Sequence, residues 1–326
     1  MKFGLLLPHF GDNCTHERVF GHVKWMEEVG FNSVWVRDHL AFRPHAFEGQ
    51  STLFLEPFTT LAAIAALTKK LVVGTATIIT FRHPLVTSQL FGTLAYIAKG
   101  RMIAGLGAGS ARKNFDAVGL PFEKRGPIID EMLQILRLSW TQENISFHGE
   151  IFNFDNMTIH PRPAADTPIY YGAMSEFALR RAVKYCDGIL PQRTPFIVLD
   201  RQIAYLRELE EKEGRKKRCG VIYFPLSSID RDSKRAYQRI GVERLVQYVG
   251  EMIQQKKWED VSATEKGLEG AIIAGSPQQC VDQVGKLQER DLDEIVFDLR
   301  NTFDEWENAL ELLATSVLPH FKESVK

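Results

Sequence analysis

The side chains best suited to proton transfer in this sequence are Asp38 and His39, which close the apolar run Ser33-Val34-Trp35-Val36-Arg37. An imidazole with an unperturbed pKa of about 6.5 gives or takes a proton near neutrality, and a carboxylate beside it can orient the surrounding chain. Successive residues of an extended chain point to opposite faces, so only one of the two enters a cleft. His39 is expected to enter it, with Asp38 holding the loop or helix start beyond; together they are the catalytic candidates. Gly105-Leu106-Gly107-Ala108-Gly109 is the second constellation. It matches half of a dinucleotide fingerprint, but the third glycine fails at Arg112 and no first strand precedes it. Glycines at a strand end still let a flat ligand approach the backbone closely. Leu71 to Thr77 ends in the small residues Thr75, Ala76 and Thr77, which leaves room for a planar ring. Ser175 opens a helix as a good N-cap, and free amides there suit a phosphate.

These residues need a frame to position them. Short apolar runs alternate with amphipathic stretches along the chain: 2–8, 33–37, 71–79, 102–106, 169–171, 188–190, 219–226 and 295–297 read as eight core strands. Helices are expected between them, with Pro57 and Pro84 in first turns and Gly30 as a C-cap. A short run at 270–275 stands apart from the eight, and 145–165 reads as an inserted hairpin around Gly149. Eight strands alternating with helices imply parallel pairing, either in an open doubly wound sheet or in a closed (β/α)8 TIM barrel. No linker interrupts the alternation, so one α/β barrel domain over residues 1–326 is favoured, with insertions at about 40–55, 145–165 and 227–270. The loop 40–55 is a candidate lid. In such a barrel the site lies at the carboxyl ends of the strands, which adds His9, Arg193 and Arg300 as candidates for substrate contact.

Composition narrows the function classes. The chain has 326 residues, 44% apolar and 25% charged, and 40 Lys and Arg balance 41 Asp and Glu to a net charge of −1. That removes the basic footprint of a dedicated nucleic-acid binder. No stretch approaches ~18 apolar residues, so no membrane span is expected, and the amino terminus is too short and polar for a signal peptide. Cys14, Cys186, Cys219 and Cys280 are scattered without metal-ligand spacing. Reduced thiols, a cytoplasmic setting and no metal are expected.

Taken together, the segments resemble the luciferase-like monooxygenase family. The resemblance is carried by Gly30-Phe31-Asn32-Ser33-Val34-Trp35-Val36-Arg37-Asp38-His39, by Leu71 to Thr77, by Arg82-His83-Pro84-Leu85-Val86 and by Lys99 to Gly109. Pro161-Arg162-Pro163, Pro168 to Ala173, Cys186-Asp187-Gly188 and Gly275-Ser276-Pro277-Gln278-Gln279 continue it to the end of the chain. It implies an oxidoreductase barrel that binds reduced FMN or the deazaflavin coenzyme F-420 at the carboxyl ends of its strands. A non-prolyl cis peptide is implied at Ala76-Thr77, as a bulge behind the ring. His39 would be the catalytic histidine, Gly107, Ala108, Gly109 and Ala173 would line the cofactor, and Met174 with Ser175 would meet its phosphate through backbone amides. The luciferase alpha chain grips that phosphate with an Arg where this chain has Ala108, which tips the choice toward the deazaflavin. The sugar-phosphate dehydrogenases of the deazaflavin branch carry a Glu after the glycine loop, where this chain has Ser110; that argues against their activity.

The resemblance also implies a homodimer, a small organic substrate and, for FMN, a separate reductase. Two alternatives stand beside it: a flavin-binding protein without catalysis, and a nicotinamide-dependent dehydrogenase on an open sheet, motivated only by the glycines 105–109. Substrate identity is not legible, because the pocket walls come from loops.

Overall fold

All eight expected runs form strands that pair in parallel and close on themselves. In the computed structural model, which describes residues 1–44, 50–172, 175–242, 245–247 and 266–321, these are β1 (Lys2–Leu6), β2 (Ser33–Val36), β3 (Val72–Thr75), β4 (Met102–Gly107), β5 (Ile169–Tyr171), β6 (Gly188–Ile189), β7 (Gly220–Tyr223) and β8 (Glu294–Phe297). Each pairs with its sequence neighbours, and β1 pairs with β8 in the register Phe3 to Ile295. The ring is a closed TIM barrel. Closure removes the open sheet, and with it the frame that the nicotinamide alternative needed.

Around the ring lie α1 (Val23–Val29), α2 (Pro57–Leu67), α3 (Pro84–Ala98), α4 (Arg112–Ala117), α5 (Arg125–Thr141), α6 (Glu176–Tyr185), α7 (Phe196–Lys212), α8 (Ser233–Ile240), α9 (Pro277–Gln288) and α10 (Trp306–Leu312). Pro57, Pro84 and Pro277 occupy first turns, and Gly30 closes α1 in the left-handed region at φ 98°. One apolar core joins residues from Phe3 to Leu318. Among the described residues, no helix is long and apolar enough to cross a membrane.

The differences from expectation have local causes. The third run is interrupted at Ala76-Thr77, whose peptide is cis, and resumes at Ile78–Ile79 against Leu106 and Gly107. The seventh run is interrupted at Pro225, which has no amide to donate; Leu226 still bridges Asp298 just after β8, and Leu226–Ile229 pairs in a separate two-stranded sheet with Ile272–Gly275, the short run left over from the eight. The hairpin insertion forms, Ile145–His148 against Asn153–Met157, and its tip is fastened to α5 by Glu131, which accepts the amides of Glu150, Ile151 and Phe152. The loop 40–55 is docked rather than open where it is described: Phe54 bridges Phe10 in antiparallel fashion, and the Leu55 amide donates to the His9 carbonyl at 2.9 Å. Residues 45–49 of that loop, and 243–244 and 248–265 of the third insertion, lie outside the described residues.

Two large rings plug the barrel, and glycines on neighbouring strands make room for them. A methyl group at Gly74 would collide with the Trp35 ring, and one at Gly188 or Gly220 with Tyr170. At the amino end, Glu294 is buried against Ser33, whose hydroxyl donates to the carboxylate and accepts the Trp35 indole N–H at 2.6 Å. Burial pushes the Glu294 carboxyl up from 4.5 to about 7, against the Ser33 hydrogen bond and the charge of Lys2.

A carboxyl whose pKa is raised in the folded state binds its proton more tightly there, so the fold loses stability as pH rises from about 4.5 to about 7. The loss through this one group is about 3 kcal/mol by the pKa difference. Glu294→Gln should therefore flatten the denaturation midpoint between pH 5 and pH 8 and be the more stable form at pH 8. An unchanged slope in urea titrations of the variant would contradict this.

Candidate functional site

Strand alternation continues past the end of β2. Ser33, Trp35, Arg37 and His39 share one face, while Asp38 points to the other. Asp38 is 2% exposed, and its carboxylate accepts both terminal nitrogens of Arg82, the Nη2–Oδ1 contact measuring 3.0 Å, together with the Ile79 amide at 3.0 Å. Burial raises its pKa, and Arg82 and the Ile79 amide oppose that. Arg82 also reaches Glu56 at 3.3 Å, and Glu56 in turn caps α2 by accepting the Thr59 amide at 2.8 Å. Asp38 is thus committed to holding the chain after β3 against β2. Its expected orienting role fits this geometry; proton transfer does not.

His39 is half-buried among aromatic rings, with Phe42 at 5.4 Å and Phe54 at 5.2 Å between centroids. Its Nε2 lies 3.1 Å from Nη2 of Arg37, and the Arg37 guanidinium stands 4.8 Å above the Phe10 ring. Arg37, Phe42 and Phe54 are site residues that the sequence reading passes over. The i, i+2 spacing of Arg37 and His39 along one strand face is a signal that could have found Arg37.

The end of β3 meets the ends of β4 and β5 where two threonine side chains lie against glycines. The Thr75 hydroxyl donates to the Gly105 carbonyl at 2.8 Å and accepts the Gly105 amide at 2.9 Å. A methyl group at Gly107 would strike the Thr77 side chain, and one at Gly172 would approach it at 3.2 Å. Gly109 takes φ +79° and leads out of the strand. Thr77, Ala108, Gly109 and Gly172 are half-buried, so this small-residue surface is open on one side. Ser175 is exposed and caps α6 by accepting the Ala178 amide at 3.4 Å, while Ala173 and Met174 lie outside the described residues.

The three substrate candidates separate. His9 is fully buried: Nδ1 donates to the Leu7 carbonyl at 2.8 Å, and Nε2 accepts the Arg37 amide at 2.9 Å. Burial, with Arg37 and Arg300 nearby, pushes its pKa down to about 3. Both ring nitrogens are spent on backbone, so the expectation for His9 is corrected to a structural one. Arg300 is also buried and forms a two-pronged pair with Asp298, Nε to Oδ1 measuring 2.8 Å, which commits its guanidinium within the turn after β8. Arg193 remains half-buried after β6, with φ +46° and its amide donating to Phe224 at 2.9 Å. No group of side chains suited to a metal occurs among the described residues. A hollow of about 1180 Å³ is bordered by residues such as Phe196, Arg239, Leu268, Gln283 and Asn301; none of the small-residue surface lines it.

Comparison with known proteins adds a family to this geometry. The family model described as luciferase-like monooxygenase matches residues 1–294. The F420-dependent glucose-6-phosphate dehydrogenase of Nakamurella multipartita is 27% identical over 321 residues, covering 92% of this chain and 91% of that protein. Among solved structures, an F420-dependent secondary alcohol dehydrogenase in complex with an F420-acetone adduct superposes with a TM-score of 0.78 at 17% identity, covering 99% of each chain. The FMN complex of the oxygenating constituent of 3,6-diketocamphane monooxygenase from Pseudomonas putida gives 0.73 at 16% identity, covering 98% of each. At those identities the structures support the fold alone.

Because Asp38 is buried and charged, losing its partner should be costly. Arg82→Met is expected to destabilise the chain by about 3 kcal/mol, and Asp38→Asn with Arg82→Met by less than the two single changes summed. Single effects that add within about 0.5 kcal/mol in denaturant titrations would contradict the clamp.

Proposed function

The chain belongs to the luciferase-like monooxygenase family, and from that premise we propose that it is an oxidoreductase holding a reduced deazaflavin or flavin ring at the carboxyl mouth of the barrel and acting on a small organic molecule. The observation that carries the reading is the half-open wall where Gly107 and Gly172 back onto Thr77, beside Ala108 and Gly109. A planar ring needs a surface without projecting side chains, and these residues fit it. The backbone amides at the start of α6 are the donors we read for a phosphate, apart from that of Ala178, which the Ser175 cap takes. When bound, the ring supplies the hydride or the electrons that activate oxygen.

The rest is done by the chain. Thr77, Gly107, Ala108 and Gly109 bear the ring, Asp38 and Arg82 hold the Thr77 segment in place, and His39 handles the proton beside it. Phe42 and Phe54 keep water from the His39 ring. Coenzyme F-420 is favoured over FMN, because Ala108 offers no cation where the luciferase alpha chain places an arginine and because the F420-dependent dehydrogenase relative spans nearly the whole chain. With FMN, a separate reductase would supply the reduced form. Our reading sets the substrate outside the sugar phosphates, because Ser110 stands where the resemblance implies a glutamate in the sugar-phosphate dehydrogenases.

The chain is read as a single cytoplasmic barrel domain with reduced thiols, acting as a homodimer. α2 and α3 carry no charged residue, yet Leu67, Val86 and Tyr96 are 41%, 50% and 77% exposed on them. Such a face is suited to a second copy. Light scattering should give twice the chain mass, and a monomer would refute the dimer.

The direct test of the chemistry is His39→Ala. It should lower turnover by about 10²–10⁴-fold, the usual worth of a proton-transfer residue, while cofactor affinity is retained. Unchanged turnover would remove His39 from the reaction.

A further inference from the structure

We propose that Arg37 sets the tautomer of His39, so that the ring stands in the site neutral, with its proton on Nδ1. The guanidinium Nη2 lies 3.1 Å from Nε2 of His39. A guanidinium has only donors and stays protonated in proteins, so Nε2 must be the acceptor, and a neutral imidazole then carries its single proton on Nδ1.

The contact is built in rather than incidental. The backbone of Arg37 is anchored where its amide donates to Nε2 of buried His9, whose Nδ1 donates to the Leu7 carbonyl. Its guanidinium is seated 4.8 Å above Phe10 and 5.8 Å from Phe42, and Phe42 and Phe54 pack against the His39 ring. Two charged neighbours among the described residues are already committed. Asp38 faces away and is held by Arg82, while Arg300, 5.9 Å from the Phe10 ring, is held by Asp298. Protonation of Nε2 would abolish the hydrogen bond and set two cations about 3 Å apart.

The consequence, which rests on the role proposed for His39, is that the ring works as a hydrogen-bond donor through Nδ1. Delivering that proton outright would leave an imidazolate, so net proton uptake at Nε2 requires Arg37 to withdraw. Arg37 is therefore a positioning residue.

The test reads the ring itself and not turnover, so failure of the proposed reaction leaves it intact. The full chain is labelled with ¹⁵N-histidine and its ring nitrogens are observed by NMR at pH 8, with His39→Asn to assign the signals. The wild type should show Nε2 of His39 at the unprotonated position and Nδ1 at the N–H position. Arg37→Met should shift the ring toward the Nε2–H form that free histidine favours in water. An Nε2–H tautomer in the wild type overturns the proposal, as does an identical spectrum in a folded Arg37→Met. If that variant does not fold, the wild-type spectrum alone decides.

Discussion

The mouth of this barrel depends on one buried carboxylate. A charge as secluded as that of Asp38 is tolerable only when it is paired and hydrogen-bonded, and both partners come from the segment after β3. Satisfying Asp38 therefore draws Ile79 and Arg82 to the end of β2. That draws in the Thr77 segment, which Gly107 and Gly172 back onto. Through Glu56 the same arginine reaches the start of α2. Strand alternation then turns the next residue, His39, to the opposite face. The clamp and the placing of His39 on the other face follow from one constraint and one periodicity.

The two ends of the barrel divide the work along the same strand face. Ser33 and Trp35 belong to a plugged amino end, where the indole and the Tyr170 ring fit only because facing strands supply glycine. Arg37 and His39, two and four residues on, belong to the open end, where glycines meet a threonine rather than a large ring. Glycine admits a side chain at both ends: below, the Trp35 and Tyr170 rings, and above, the smaller Thr77.

Much of this was legible in the sequence. The eight strands followed from apolar runs, the starts of α2 and α3 from Pro57 and Pro84, and the contrast between Asp38 and His39 from alternation alone. Closure was favoured over an open sheet because no linker breaks the alternation, although β1 pairing with β8 leaves no local mark in either strand. His9 and Arg300 were read as open to substrate because of their places after β1 and β8. Their partners, the Leu7 carbonyl and Asp298, are two residues away in sequence, and a turn must form before they can meet. Arg37 was hidden for the opposite reason: it reads as the continuation of a core strand, and only the packing of Phe10 and Phe42 gives it a place. Pro225 carried the end of β7 in plain view.

The central claim is that the ring-bearing cofactor lies on the bare backbone at the ends of β3, β4 and β5. Hydrogen–deuterium exchange of the full chain, with and without saturating coenzyme F-420 and then FMN, tests it directly. The account predicts slowed exchange in peptides covering Thr75 to Thr80 and Gly105 to Gly109 with at least one of the two. Protection confined to the residues bordering the hollow near Arg239 and Gln283, or no protection with either cofactor, would contradict it.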